Sequence, residues 1–307
     1  MNIQNKLINI SNILFLISFT FMLSSLTPAI ANESKIKVKT LRVNNYDMAY
    51  VEKGNGEPLI LVHGALSDYR TWLPLIDEFS EENHTIAVSL RHYYPEQWDG
   101  KGNDLSLQQH ANDLAVFIKT LNLGPVHLLG HSRGGAVALL TASKYPNYVR
   151  KLILADPSPL TSMLEKTPAI QAIIDKRKTV LQKVMEYYNK GNTEAGLKTY
   201  VNFVAGKGAW KKTSIPRRKT VRENAWTTIS LLRDSDTPFN CTNTSKLSAN
   251  VLLITGERSK SLYGHMNSAL RTCLKKSTDS IIADAGHIMF SANPTAFIFE
   301  VQDFILP

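Results

Sequence analysis

The chain contains 307 residues, 43% of them hydrophobic, which is enough to bury the core of one α/β domain. Its net charge is +9, but no nucleic-acid-binding module accompanies the basic excess, so nucleic acid is excluded as an expected partner. No second periodic block or internal repeat is present, and a single catalytic domain is therefore predicted.

The first segment of the chain, residues 1–31, has the features of a secretory signal peptide. A lysine precedes an apolar run at residues 13–23, and Ala-Ile-Ala at 29–31 provides a small-x-small cleavage site before Asn32. The rival interpretation is an uncleaved membrane anchor, but the apolar run is shorter than the roughly 20 residues that a span requires. We expect a mature domain of residues 32–307, secreted or periplasmic, with no stable membrane span.

After this segment, apolar stretches and helical patterns alternate along the chain, which predicts an α/β fold with an eight-stranded, mostly parallel sheet flanked by helices. The expected strands lie at residues 35–43, 46–53, 59–62, 85–90, 125–129, 149–155, 250–255 and 279–283.

The alternation stops between about residues 157 and 240, where only helical runs occur. These runs, at 169–189, 194–204 and 219–233, predict a helical cap inserted after the sixth strand and covering the site. Seven large apolar residues are expected mostly to pack the cap itself: Met163, Met185, Tyr187, Tyr188, Phe203, Trp210 and Trp226.

The same interval holds a cluster of basic side chains: Lys211, Lys212, Arg217, Arg218, Lys219 and Arg222. A solvated face is the favoured interpretation of this cluster. Attraction of anionic substrates or lipid head groups is the alternative.

The most informative motif is G-x-S-x-G at residues 130–134, which follows an apolar strand and opens a helix. That strand-turn-helix context is typical of a nucleophile elbow, and it nominates Ser132 as the nucleophile. Glycines are needed on both sides because the strand and the helix pack closely around the turn. The alternative is an ordinary Gly-rich turn whose serine caps a helix.

A serine hydroxyl needs a base within hydrogen-bond reach, and His287 is the best candidate. It follows the last predicted strand, where its loop can reach over the sheet edge toward the elbow. A tetrahedral intermediate also needs backbone donors, and the N–H groups of Ala65 and Arg133 are the candidates for this oxyanion hole. His63, which precedes this loop, is expected to brace it rather than to titrate.

These motifs resemble those of the α/β-hydrolase superfamily, from about residue 40 to the C-terminus. Val62-His63-Gly64 corresponds to the oxyanion loop, residues 130–135 to the elbow, and residues 284–287 to the histidine loop. The resemblance is to the cap-bearing esterases, which need no cofactor. A serine at position 132 excludes the haloalkane dehalogenases and epoxide hydrolases that use an aspartate nucleophile.

The chain departs from the family pattern at the acid. Relatives usually continue Gly-Glu-x-Asp after the next-to-last strand, but here Ser259 occupies the position of that aspartate. Some relatives instead carry the acid after the strand that follows the nucleophile helix, and in this chain that strand ends in Asp156. We therefore favour Asp156 over Glu257 as the carboxylate that orients His287.

The resemblance implies a serine hydrolase that cleaves a small or medium ester through an acyl-enzyme intermediate. The alternatives are a slow or non-catalytic ligand-binding or signalling protein, a cofactor-free haloperoxidase and a carbon–carbon hydrolase. No cofactor and no metal are expected, and a small-molecule substrate is the expected partner. The oligomeric state stays open, as does whether Cys241 and Cys273 form a disulfide or stay reduced.

Overall fold

The computed structural model describes residues 36–234 and 237–306, so the predicted signal peptide at 1–31 lies outside the described residues. The strands are β1 (Lys39–Val43), β2 (Tyr46–Lys53), β3 (Glu57–Val62), β4 (Asn83–Val88), β5 (Val126–His131), β6 (Val149–Ala155), β7 (Asn250–Gly256) and β8 (Ser277–Ile282). They form one sheet in the order β1-β2-β4-β3-β5-β6-β7-β8. Strands β1 and β2 are joined antiparallel, as are β2 and β4, and all other pairs are parallel. The predicted eight-stranded, mostly parallel sheet is confirmed.

The helices of the described residues are α1 (Ile76–Phe79), α2 (Leu107–Thr120), α3 (Arg133–Lys144), α4 (Pro168–Asn189), α5 (Thr193–Ala205), α6 (Ala209–Lys212), α7 (Ile215–Glu223), α8 (Ile229–Arg233), α9 (Ser261–Cys273), α10 (Met289–Ala292) and α11 (Pro294–Ile305). Helices α4–α8 occupy the interval between β6 and β7. This is the position at which the sequence predicts an inserted helical cap.

The sheet is buried on both faces because its central strands are continuously apolar. Along β3, Ile60 packs into the core on one face, while Leu59 and Leu61 pack into the core on the other. This alternation follows from the two-residue period of a strand. All six residues of β5 are buried, as expected for a central parallel strand that helices cover on both sides.

A third apolar cluster holds the inserted helices together. Its fully buried members include Val184, Tyr188, Leu197 and Trp210 from the helices and Leu66 from the loop after β3. The tyrosine and tryptophan are two of the side chains that the sequence assigned to internal packing of the cap. Because Leu66 belongs to the same cluster, the inserted helices pack directly on the loop that follows β3.

One helical prediction is wrong: the run at 219–233 is not a single helix. Helix α7 ends at Glu223, a short 3-10 turn follows, and α8 begins at Ile229. The Thr227 and Thr228 hydroxyls donate to the carbonyls of Asn224 and Ala225, at 2.6 and 2.7 Å. Such local side-chain bonds to the backbone compete with helix continuation, and apolar periodicity alone does not reveal them.

The two cysteines are paired in the structure. Cys241 and Cys273 form a disulfide with a Cα–Cα distance of 4.8 Å, linking the segment before β7 to the end of α9. Of the two alternatives that the sequence left open, the structure contains the disulfide. Within 36–234 and 237–306, no helix combines the length and apolar character needed to cross a membrane.

Candidate active site

The carboxyl ends of the central strands meet at one edge of the sheet and bring three predicted site residues together. Ser132 follows β5, Asp156 follows β6, and His287 lies in the loop after β8. Backbone bonds hold the first two ends in register. The Ser132 N–H donates to the Ala155 carbonyl, and the Asp156 N–H donates to the Ile254 carbonyl, both at 2.9 Å. A crevice at this edge is the usual ligand position in open α/β sheets.

The turn at Ser132 is strained. Its φ of 52° and ψ of −119° lie outside the regions that L residues favour. Such a conformation persists only when the surrounding structure enforces it, and functional sites are where it usually occurs. Glycine is required nearby, because a Cβ on Gly130 would lie 2.3 Å from the Gly134 carbonyl oxygen. Strand β5 and helix α3 therefore approach as closely as the sequence predicted.

Ser132, His287 and Asp156 form a continuous hydrogen-bonded chain. The Ser132 Oγ lies 3.0 Å from His287 Nε2, and His287 Nδ1 lies 3.1 Å from Asp156 Oδ2. All three side chains are buried. Because a carboxylate accepts, His287 Nδ1–H donates to Asp156, which leaves Nε2 free to accept the serine proton.

Burial shifts the pKa values of this pair in opposite directions. It lowers the pKa of His287, and the positive charge of Arg177 lowers that pKa further. It also raises the pKa of Asp156, and a hydrogen bond from the Ser259 hydroxyl acts in the opposite direction. At neutral pH the imidazole is consequently neutral, as a general base must be.

Ser259 lies where the common family pattern has an aspartate, and it supports Asp156. Its Oγ donates to Asp156 Oδ2 at 2.5 Å. Glu257, the competing candidate, points elsewhere: its Oε2 accepts the Asp284 N–H at 2.8 Å. Of the two carboxylates that the sequence weighed, the structure therefore places Asp156 beside His287, and Glu257 ties down the start of the histidine loop.

The loop after β3 reaches the nucleophile. A Cβ on Gly64 would lie 2.9 Å from His131 Nδ1 and 3.1 Å from Ser132 Cβ, so glycine favours this close approach. Ala65 follows directly and is half-buried. Arg133 is the first residue of α3, and a helix leaves such N–H groups without an internal partner. Both residues of the predicted oxyanion hole thus lie near Ser132. Arg133 follows it in the chain, and Ala65 follows Gly64, which contacts it.

His63 braces this loop, as the sequence predicted. The Leu90 N–H donates to His63 Nε2 at 3.1 Å, so the proton of the neutral ring is on Nδ1. That Nδ1–H donates to the Gly64 carbonyl oxygen at 2.8 Å. Burial lowers the pKa of His63 to about 4, which keeps the ring neutral.

Two more residues hold His287 in place, and sequence reasoning assigned a role to neither. His131 Nε2–H donates to the His287 carbonyl oxygen at 2.8 Å. The ring of Tyr263 stacks on the imidazole of His287, with 4.1 Å between centroids and 12° between planes. The only sequence signal for His131 was its place beside the nucleophile. No sequence signal pointed to Tyr263, because its ring contact with His287 joins α9 to the loop after β8.

The Arg133 side chain is anchored by partners that the sequence did not identify. Arg133 Nε donates to Asp234 Oδ2 at 2.8 Å, and Nη1 donates to His110 Nδ1 at 2.7 Å. The guanidinium is almost completely buried. These contacts fix the first turn of α3, and with it the direction of the Arg133 backbone N–H.

For Arg217, the prediction of a solvated basic face is wrong. Lys211, Lys212 and Lys219 are exposed, whereas Arg217 is half-buried. Its positive charge lowers the pKa of His63. Helical spacing did not reveal this, because the inserted helices fold back so that one residue of the cluster faces the site.

Comparison with known proteins gives a match at the family level. Residues 59–301 match the profile described as "Alpha/beta hydrolase family". The chain is 32% identical over 146 residues to an (E)-2-((N-methylformamido)methylene)succinate hydrolase of Acinetobacter baylyi, covering 47% of this chain and 53% of that protein. It is 30% identical over 142 residues to a 2-(acetamidomethylene)succinate hydrolase of Mesorhizobium japonicum, covering 46% and 50%.

The chain thus spans about half the length of these curated relatives. Among solved structures it is similar to a bacterial membrane phospholipase A, with a TM-score of 0.70 at 21% identity, covering 88% of this chain and 86% of that one. At that identity the likeness shows the fold alone.

Proposed function

The chain belongs to the α/β-hydrolase family, and on that premise we propose that it is a serine hydrolase acting through an acyl-enzyme. The observation that carries the proposal is the hydrogen-bonded chain from Ser132 through His287 to Asp156. These three residues have the geometry of a nucleophile, a base and an acid that orients the base. The acid follows β6, whereas the common family pattern has it after β7.

In the proposed reaction, Ser132 Oγ attacks the substrate carbonyl while His287 Nε2 takes the serine proton. The imidazolium that forms is stabilised by the carboxylate of Asp156. The backbone N–H groups of Ala65 and Arg133 receive the negative oxygen of the tetrahedral intermediate. His287 then donates its proton to the leaving group, and water hydrolyses the acyl-enzyme with the same base.

The proposed substrate is a small or medium ester or a related acyl compound. Two relatives of about 30% identity are named as hydrolases of substituted succinates, which supports a small-molecule substrate. The alternative is a binding or signalling protein with the same fold and slow turnover. Probing serine reactivity separates the two, because an unactivated serine does not react.

We also propose that the protein is exported after cleavage before Asn32. The disulfide between Cys241 and Cys273 supports this proposal. Such bonds persist in the periplasm and outside the cell, where thiols are not kept reduced.

The test is hydrolysis of 4-nitrophenyl esters of increasing acyl length by the mature protein. Ser132→Ala should reduce kcat/KM by about 10⁴-fold or more. Ser143→Ala, the same substitution on helix α3 away from the site, is the matched control and should stay within about twofold. Equal activity of Ser132→Ala and wild type would assign the chemistry to another group.

A further inference from the structure

A cavity of about 590 Å³ lies beside α4. Its walls come from the segment 159–168, from α4, from Leu232 on α8 and from Leu262 at the start of α9. Two of its lining residues, Pro159 and Arg177, also border a smaller space that reaches Arg133 and Ser158. The Ser158 N–H donates to the Ser132 carbonyl oxygen at 2.8 Å. Arg177 thus borders both the cavity and a small space whose walls include Arg133, the residue after the nucleophile.

Arg177 is the half-buried charged residue of this cavity, and no carboxylate of the described residues pairs with it. Among the described residues, the Arg177 side chain has one hydrogen bond, and it is long: Nη1 lies 3.5 Å from the Leu231 carbonyl oxygen. The nearest acid along its helix, Asp175, accepts a bond from Gln171 at 2.9 Å. The Arg177 side chain is half-buried, so its charge is only partly screened by water.

Three other buried or half-buried guanidinium groups of the described residues pair with carboxylates. Arg70 bonds to Asp68, Arg91 to Asp113 and Arg133 to Asp234. Burying a charge costs free energy unless a counter-charge is supplied. For Arg177 the described part of the chain supplies none, which leaves its guanidinium available to a bound anion.

Arg177 is also close enough to influence the base. Its charge lowers the pKa of His287. Arg217 on α7 is a second positive charge with no ion pair among the described residues, and it lowers the pKa values of His63 and His131. The carboxylate of Asp68, whose charge acts on Arg217, already accepts bonds from Arg70 and Asn224. Arg177 and Arg217 therefore both place positive charge near histidines of the site.

We propose that the cavity beside α4 binds a carboxylate carried by the acyl substrate, and that Arg177 is the residue that binds it. The planar fork of a guanidinium matches the two oxygens of a carboxylate. The inference depends on the proposed serine hydrolase function and narrows it to anionic acyl substrates.

The experiment compares mono-4-nitrophenyl adipate with 4-nitrophenyl hexanoate, which have acyl chains of equal length and differ in the terminal carboxylate. Wild type should prefer the anionic ester in kcat/KM. Arg177→Gln should lower the ratio of the two kcat/KM values by about 10- to 100-fold, the effect expected for losing a hydrogen-bonded ion pair. Arg177→Lys keeps the charge but not the fork, and should give an intermediate ratio.

Lys176→Gln is the matched control, because it removes the same charge from an exposed position of the same helix. Its ratio should stay within about threefold of wild type. Each variant must also match the thermal melting curve of wild type. A wild type without preference for the adipate ester, or an Arg177→Gln variant with an unchanged ratio, would overturn the proposal.

Two further measurements separate this inference from the proposed function. Labelling of wild-type Ser132 by a fluorophosphonate probe reports the triad alone. Calorimetric binding of adipate dianion to Ser132→Ala, with and without Arg177→Gln, reports the pocket alone. Labelled serine with no Arg177-dependent adipate binding refutes the carboxylate pocket only. Unlabelled serine refutes the hydrolase function, while Arg177-dependent binding would still uphold the pocket.

Discussion

Replacing Asp156 by asparagine tests the placement of the acid on β6. An asparagine presents either its NH₂ or its carbonyl oxygen to His287 Nδ1, and an NH₂ there favours the imidazole tautomer with its proton on Nε2. That proton would face Ser132 Oγ, 3.0 Å away, and the base would be blocked. The expected loss in kcat is about 10⁴-fold. At 1.36 kcal/mol per factor of ten, this corresponds to about 5.5 kcal/mol of transition-state stabilisation.

Glu257→Gln is the matched control, since it makes the same carboxylate-to-amide change two residues before Ser259. The Glu257 side chain accepts the Asp284 N–H at 2.8 Å, and an amide oxygen can keep that bond. Its kcat should stay within about tenfold of wild type. The assay is ester hydrolysis at neutral pH on variants with matched melting curves. A greater loss for Glu257→Gln than for Asp156→Asn would refute the assignment of the acid.

Further predictions concern protonation, stability and export. Ser259→Ala removes the hydrogen bond that lowers the pKa of Asp156. The pH at which kcat/KM falls on the acidic side of its profile should therefore rise by about 1 to 2 pH units. An unchanged acidic side of the profile would contradict the role of Ser259 in stabilising the Asp156 carboxylate. Melting temperature should fall as pH drops from about 6.5 to 4 because buried neutral histidines take up protons more readily when unfolded, and a constant melting temperature over that range would contradict this. The histidines concerned, whose pKa values burial lowers, are His63, His110, His127, His131 and His287. N-terminal sequencing of the exported protein should begin at Asn32, and a retained Met1 would favour an anchor.

The sequence predicted most of the sheet because its strands are short apolar runs between turns. Residues 149–155 and 46–53 agree with β6 and β2 to the residue. The site residues could be predicted from the sequence where they belong to a local motif, as Ser132 does, or follow the end of a strand, as Asp156 does. In these cases the position along the chain determines the position in space.

What the sequence could not predict depends on contacts between distant segments. The bond from Ser259 to Asp156 spans 103 positions, and that from Arg133 to Asp234 spans 101. Likewise, the inward position of Arg217 depends on how the inserted helices fold back. The arrangement of these helices depends on tertiary packing around Tyr188. The spacing of apolar residues along each helix does not specify it.

The central claim is that the triad activates Ser132, and covalent labelling tests it most directly. A fluorophosphonate probe should modify the mature wild-type protein, and peptide mass spectrometry should place the adduct on Ser132, because His287 Nε2 lies 3.0 Å from its Oγ. Ser132→Ala should abolish labelling, and Ser143→Ala should leave it unchanged. An unlabelled wild type, or an adduct on another residue, would contradict the account.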